Sequence, residues 1–550
     1  MRRFLILSGV FCAGAAWSQE APAFPRPAYF RQHFGTPPLR VELQPPVRLA
    51  DFLVDGKLEL SLRSYLELVL ANNTDIAIQK VSVEVQKNAV TRAFGRFDPT
   101  LTASFNSTRT KSPASDVLAG AATLSQLNQP ANFSYQQVLQ TGTQFNVGFF
   151  ASKNSTNSAF QTFNPALNAR LNFGFTQPLL RGRGAYVTRL PILIARSRLR
   201  SAEHNLRDQL LRLLTAAENA YWDVVGAREN VAVQEQAVAL RAEALKIAQR
   251  ELELGALSPL DIYQPQADYA SAQIQLSQAK YRLAQLEDAL RKQIGADLDP
   301  QFRNVPIVLT ETVLPPADTA TFDREALVEK ALAMRPDLLA ARENLLTDDM
   351  NIRSATDGLR PDLSLTASYA SSGRGGPFFQ RTNIFGPEGP VGTVITVIPG
   401  GFGDALSQLF NFNFPTYAFG LTLRLPIRDR TAAANLADAM VQKRLDALRA
   451  RNLEQTVRLE VLNAISQVES SREAVKLAQV ARDLAQKNLE AEQKKYELGT
   501  TVLFFVLDAQ TRLTTAQSRL LTESINYRRN LLNLLRVTGE LLEQRGIAIQ

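Results

Sequence analysis

The chain has 550 residues, with 61 Lys plus Arg against 53 Asp plus Glu for a formal charge of +8, and it is 45% hydrophobic and 21% charged, a composition that folds. The basic excess is small and dispersed, so nucleic acid is not expected as a partner. One Cys and two His (His33 and His204) exclude a disulfide framework, a zinc or iron–sulfur site and a Cys–His nucleophile pair, and no phosphate-loop or Ser-elbow pattern occurs, so neither an enzyme nor a bound cofactor is expected.

Residues 1–18 read as a secretory signal. Arg2 and Arg3 precede an apolar run from Phe4 to Ala16, and Ala16-Trp17-Ser18 supplies small residues for cleavage before Gln19. The run is too short to span a bilayer. Cys12 follows Phe11, where a lipoprotein signal has a small residue, so no lipid anchor is expected. Residues 19–57 form a Pro-rich extension with seven Pro between Gln19 and Gly56. No later stretch has 18 consecutive apolar residues, so any crossing of a membrane falls to a β-barrel.

From residue 58 the sequence repeats itself. Asp75, Ala93, Pro99 and Leu101 match Asp337, Ala355, Pro361 and Leu363, each 262 residues on. Glu253-Leu254-Gly255 matches Glu497-Leu498-Gly499 and Gln266 matches Gln510, each 244 on. The first repeat, 58–296, therefore carries 18 residues more than the second, and the pair Phe173-Gly174 and Phe419-Gly420, 246 apart, places 16 of them before Phe173.

The first repeat opens with a helix over about 61–96, interrupted at Thr74-Asp75. After Pro99 the period becomes two: Leu101, Ala103 and Phe105 alternate with polar residues, as do Leu171, Phe173 and Phe175. Phe133/Tyr135 and Phe145/Val147/Phe149 flank Thr141-Gly142 as a hairpin that accounts for the surplus. The strand region is about 99–178. A helical hairpin over about 188–296 follows. Its first arm, Thr188 to Leu254, is about 100 Å long at 1.5 Å per residue, with a seven-residue repeat at Leu210, Ala217, Val224, Val231, Val238, Leu245 and Leu252. Gly255 suits a left-handed C-cap. Ser258, Pro259 and Asp261 read as N-cap, first helical residue and capping-box acid of a return arm to Gly295. His204, among Arg198, Arg200 and Arg207, reads as a solvated residue, and Trp222 beside Tyr221 as packing.

Residues 297–320, with four Pro, read as a linker. The second repeat, 321–542, opens with a helix over about 322–360 that Pro336 must break. Strands over about 361–427 show Leu363, Leu365, Ala367 and Tyr369, then Phe419, Leu421, Leu423 and Leu425, in alternation. The helical hairpin, about 431–542, carries Val461, Val468, Val475, Leu489 and Tyr496 in the seam, with Arg482 the exception, and turns at Gly499. Residues 543–550 are a tail.

The alternation fits an outer-membrane strand of about ten residues, and equally a periplasmic sheet with one wet face. Four or six strands cannot close a membrane barrel, which needs about eight. If these strands span a bilayer, several copies must share one barrel.

The duplication, the paired Leu-Gly turns, the segment Phe175-Thr176-Gln177-Pro178-Leu179-Leu180-Arg181-Gly182 and the Pro-Asp-Leu at Pro361 together resemble the TolC family of outer-membrane efflux and secretion ducts, over nearly everything after residue 58. The resemblance implies an α+β membrane protein: a trimeric outer-membrane β-barrel of twelve strands, four per chain, continuous with a long periplasmic α-helical coiled-coil barrel. It implies a homotrimer in outer-membrane lipid, docked to a periplasmic adaptor protein that links it to an inner-membrane transporter. By resemblance Leu254, Gly255, Ser258, Leu498, Gly499 and Thr500 form adaptor-docking tips, though plain turn capping explains them too. Asp261 and Asp508 occupy positions that line the family's narrow periplasmic gate, where threefold symmetry makes carboxylate rings; a capping acid and a solvated helix face are the plainer readings. Where the family can carry another acid the chain has Phe505. Tyr496 matches an aromatic that holds the closed state by hydrogen bonding, and its phase also suits the coiled-coil seam. The function expected is a passive exit duct of a tripartite efflux or type I secretion system. The alternative is a periplasmic or surface coiled-coil protein without channel activity; an adaptor protein and an enzyme rank below it.

Overall fold

The computed structural model describes residues 45–114, 119–255, 258–313, 322–382 and 393–546. The expected signal and most of the Pro-rich extension lie outside them. The first half runs through a 3-10 turn (Leu49–Phe52), β1 (Leu53–Val54), β2 (Lys57–Leu60), α1 (Leu62–Asn72) and α2 (Thr74–Phe94). Strands β3 (Thr100–Phe105), β4 (Thr108–Pro113), β5 (Thr123–Val138), β6 (Gln144–Thr156) and β7 (Ala166–Pro178) follow, then α3 (Ala185–Glu253) and α4 (Tyr263–Gln293). After β8 (Ile307–Leu309) come α5 (Arg324–Met334), α6 (Pro336–Gly358), β9 (Asp362–Gly375), β10 (Phe378–Arg381) and β11 (Val394–Ile398). The chain ends through α7 (Phe402–Phe410), β12 (Pro415–Arg424), α8 (Arg430–Glu497), α9 (Leu503–Thr538) and α10 (Leu541–Gln544). Among the described residues no helix is long and apolar enough to cross a membrane, and no cluster of His, Cys, Asp or Glu could hold a metal.

The chain divides into two compact units. One takes residues up to Gln86 with 199–344 and 446–550, and its core is helical. Two breaks shape it. Asn73 stops α1 and accepts from the Asp75 and Ile76 amides through Oδ1, at 2.9 and 3.2 Å, so it caps α2. At the matching break Pro336 has no amide to give, and Arg335 instead reaches Asp337 (2.7 Å) and Glu460 (2.5 Å). Leu62, Tyr65, Leu66, Leu68 and Val69 of α1 pack on Leu210, Leu214, Tyr221 and Val224 of α3 and Leu290 of α4. Val328, Ala331 and Leu338 pack likewise on Val457, Val461, Val468 and Val475 of α8 and Leu534 and Val537 of α9. Each opening helix thus completes the layer that the shorter return arm leaves unfinished.

The seven-residue seam is buried at Val461, Val468, Val475 and Leu489. In α3 it holds at Leu210, Ala217 and Val224, after which Ala237, Ala244 and Ala248 become the buried positions. His204 is half-buried rather than solvated, with Nδ1 enclosed and unpartnered among the described residues, and burial followed by Arg207 pushes its pKa down.

The supposed linker and extension contribute structure here. β1 turns into β2 through Asp55 and Gly56, both with positive φ (48° and 73°), as a two-residue hairpin requires. β2 then pairs in parallel with β8, Leu58 opposite Ile307. The 57/58 boundary cuts through β2, and β8 lies inside 297–320. Arg545 in the tail is held as well: its Nε donates to Glu218 Oε2 at 3.2 Å.

The second unit takes 87–198 and 345–445. Its sheet has the order β12-β9-β7-β6-β5-β3, with β4 also on β5. β3 and β4 occupy one edge of β5, because Pro130 lacks the amide that would continue the ladder there and only accepts from the Asn106 N–H at 3.0 Å. The hairpin β5–β6 therefore lies within the sheet, making six strand positions where the family pattern implies four. Directly opposed residues form rows across all six: Leu101, Tyr135, Val147, Phe173, Tyr369 and Tyr417 on one face, and Thr102, Ser134, Gly148, Asn172, Ala370 and Thr416 on the other. β5, β6, β7 and β9 run 13–16 residues, longer than expected, because they continue past the apolar band into Ser- and Asn-rich ends. α7 lies on the apolar face with Ala405 and Leu409 buried against Ala169. Gly373 permits this, since a Cβ there would meet the Ala405 carbonyl oxygen at 2.0 Å. The two quoted sequence motifs lie against each other: the Leu179 and Arg181 amides donate to the Leu363 and Pro361 carbonyls at 2.7 and 3.3 Å.

Candidate functional site

The residues singled out in the sequence gather at the two hairpin ends, all in the first unit. At the second end Gly499 has φ 70°. Its amide donates to the Tyr496 carbonyl at 2.9 Å, and the Thr500 amide to the Lys495 carbonyl at 2.9 Å. These two bonds make a Schellman cap, which satisfies carbonyls that α8 would otherwise leave open. Thr500 Oγ1 adds a third bond, to the Lys495 carbonyl at 3.0 Å. Gly255 closes α3 similarly, with φ 73° and a 3.1 Å bond to the Leu252 carbonyl. A side chain at either glycine would cost about 1–2 kcal/mol in this left-handed conformation.

The start of α4 differs from the expected cap. Ser258, Pro259 and Asp261 form a turn, with the Asp261 amide on the Ser258 carbonyl at 3.0 Å, and the helix proper begins at Tyr263. Pro265 is the cause. It has no amide for the Asp261 carbonyl, so the first ladder bond is Gln266 to Ile262, 3.2 Å.

Both ends expose apolar side chains. Leu254 and Leu498 are 77% and 78% exposed, and Leu260, Val502 and Phe504 are also open. Phe505 is exposed and packs edge-on to Phe504 with ring centres 5.7 Å apart. Inside the second end, Leu489, Val506, Ala509 and Leu513 form a small core onto which Tyr496 and Leu503 pack.

Tyr496 joins the two hairpins. Its hydroxyl donates to Glu251 Oε1 on α3. Burial first, and then the Glu251 carboxylate, hold the phenol above its ordinary range, so it stays a donor at neutral pH. A second tie is Arg241 on α3, which donates to the Asp268 carbonyl of α4 at 3.1 Å and to Thr511 Oγ1 of α9 at 3.3 Å. The sequence reading missed Glu251 and Arg241, because bonds spanning 245 and 270 positions leave no periodic trace. It also missed Arg512, whose Nε lies 2.9 Å from Asp508 Oδ2 one turn along. Asp508 is therefore a partly compensated carboxylate, whereas Asp261 is an exposed one.

A family model described as outer membrane efflux protein matches residues 65–296 and 327–540. The chain is 23% identical over 355 residues to the probable efflux pump outer membrane protein TtgC of Pseudomonas putida, covering 64% of this chain and 65% of that one. It is 28% identical over 354 residues to the outer membrane protein TolC of Escherichia coli, covering 62% and 64%. The chain thus spans just under two thirds of the length of these curated relatives. Among solved structures it is similar in fold to the Campylobacter jejuni CmeC outer membrane channel, at 17% identity and a TM-score of 0.58, over 96% of this chain and 90% of that one.

Proposed function

The chain belongs to the outer membrane efflux protein family, and on that premise we propose that it is the exit duct of a tripartite efflux or type I secretion system, a passive homotrimeric channel built from two repeats and gated at its hairpin ends. It is an outer-membrane protein with its helical part in the periplasm.

The observation that carries the duct reading is the two-faced sheet. Strands β3, β5, β6, β7, β9 and β12 each contribute apolar residues to one face and Thr, Ser, Asn or Gln to the other. An apolar face suits lipid and a polar one suits water inside a barrel. A single sheet would leave open edges in lipid at several kcal/mol for each unpaired group, so copies must share one barrel. A sheet lying in the periplasm would have no need of so much exposed apolar surface.

The exposed apolar side chains at both hairpin ends suit the adaptor-docking role of Leu254, Gly255, Ser258, Leu498, Gly499 and Thr500. Energy would come from the inner-membrane transporter beyond the adaptor. Two measurements test the reading. The protein should sediment with outer membranes and migrate differently on gels before and after heating, and a Ser258→Cys variant should crosslink in cells to a periplasmic adaptor. A protein that stays soluble and never sediments with membranes returns the chain to the coiled-coil reading, and self-crosslinks alone would end tip docking.

In the gate, three copies turn Asp261 and Asp508 into carboxylate rings with Phe505 beside them. Asp508→Ala would leave Arg512 without its partner, so planar-bilayer recording should find weaker cation preference. Unchanged conductance and selectivity would remove Asp508 from the gate.

A further inference from the structure

We propose that the β5–β6 hairpin is part of the membrane wall, so that each copy supplies six strands and three copies close an eighteen-stranded barrel, with β12 of one copy against β3 of the next. The inference rests on the trimeric duct reading and departs from the twelve-stranded barrel that the family resemblance implies.

Pairing is the first ground. A hairpin folded outside the wall would leave β3 and β7 as neighbours. Instead β5 pairs with β3 from Thr100↔Gln136 to Phe105↔Ala131, and β6 pairs with β7 from Gln144↔Thr176 to Asn154↔Ala166. Both outer edges of the hairpin are used, and its own two strands are in register from Gln126↔Thr156 to Val138↔Gln144.

The second ground is the continuity of each face. Tyr135 and Val147 stand between Leu101 and Phe173 in the apolar row, and Ser134 and Gly148 stand between Thr102 and Asn172 in the polar row. A one-residue slip would reverse every side chain of the hairpin. No slip has occurred, so the inserted strands meet the same two solvents as their neighbours.

Direction is the third ground. β3 leaves the end of α2 and β12 returns to the start of α8, so successive strands alternate in direction from β3 to β12. A downward β12 beside the next copy's upward β3 is antiparallel, and six strands per copy gives the even total such barrels have. These two are also the edge strands of the sheet, with Leu101 75% and Phe419 79% exposed. A second copy of the same sheet, set head to tail, covers both kinds of edge at once and closes into a ring. Because diameter grows roughly linearly with strand number, the barrel would be about one and a half times as wide as a twelve-stranded one.

Cys12 is the chain's only Cys and falls in the signal, so engineered pairs report cleanly. Thr102→Cys with Ser134→Cys, and Ser152→Cys with Asn168→Cys, should each join within one chain. Thr102→Cys with Asn172→Cys or Thr176→Cys should not. Thr102→Cys scanned against Thr416→Cys, Ala418→Cys and Thr422→Cys should give disulfides between copies and a covalent trimer. Averaged images of the unmodified assembly, which need no variant to fold, should count eighteen strands. Joining of 102 to 172 or 176, or twelve strands in the images, overturns the inference while a covalent trimer keeps the duct reading. Membrane-inserted protein with no disulfide between copies overturns the edge pairing. Failure to enter the outer membrane at all ends the duct reading itself.

Discussion

Combining Tyr496→Phe with Arg241→Ala is expected to raise single-channel conductance severalfold, with either change alone giving a smaller rise. The two residues hold the hairpins together near their ends: the Tyr496 hydroxyl on Glu251, and Arg241 across Asp268 and Thr511. A hydrogen bond to a charged group is worth about 1.5–3 kcal/mol. The lower end applies, because both sites are half exposed and solvent screens them. Three copies would multiply the loss, and a few kcal/mol is enough to invert a closed-to-open population. Phe keeps the ring that packs near Leu489 and Leu503, so the effect isolates the hydroxyl. The change should leave thermal stability nearly untouched, which distinguishes an opened gate from a damaged fold. Conductance equal to that of the unaltered protein would show that these bonds do not hold the entrance shut.

Arg545→Ala is expected to destabilise the helical unit by about 3–5 kcal/mol, the range for breaking a buried ion pair from one side. Glu218 is 2% exposed, and Arg545 is its ion-pair partner. The Trp222 indole also reaches it, at 3.5 Å. Arg528, which lies over the Trp222 ring at 4.1 Å and donates to the Val313 and Thr312 carbonyls, adds a weaker charge interaction with Glu218. Removing Arg545 would therefore take the ion-pair partner from a carboxylate that is almost fully buried, leaving it the Trp222 indole and the weaker Arg528 charge. Burial already pushes the Glu218 pKa above 4.5, and Arg545 opposes that push. A carboxyl raised in the folded state favours folding most below its unfolded value, and that contribution is lost as pH rises through the folded value. The deficit of the variant should thus be small in acid and grow as pH climbs from 4.5. Denaturant midpoints across that interval measure it. A deficit independent of pH would mean that packing, not the charge, carries the loss.

The sequence made the long elements legible because they obey local rules. α3 and α8 lie where Gly and Pro are nearly missing and apolar residues recur by sevens, and each ends two residues before a glycine with positive φ. Thr74-Asp75 and Pro336 marked the helix breaks for the same reason: capping and a missing amide are properties of neighbours in the chain. What escaped depends on partners far away. β2 and β8 are four and three residues long and pair across about 250 positions, so neither announces itself as a strand. Ser258 looked like a helix cap because Pro265, not Ser258, decides where α4 can start. At the hairpin ends the Glu251 partner of Tyr496 lies 245 positions away and became visible only in three dimensions, whereas Arg512 is one helical turn from Asp508 and was within reach of local rules.

The two helix breaks, similar in position, draw on unlike forces. Asn73 holds its bend through a neutral amide, a bond that dissolved ions leave alone. Arg335 holds the other through charge, and Glu460 on its outer side stands 41% open to water, where mobile ions weaken attraction over distances near 10 Å. In brine the two bends should therefore differ: the Asn73 bonds are unaffected, while at the other bend the open Arg335–Glu460 contact weakens and the more enclosed Arg335–Asp337 pair is left to carry it.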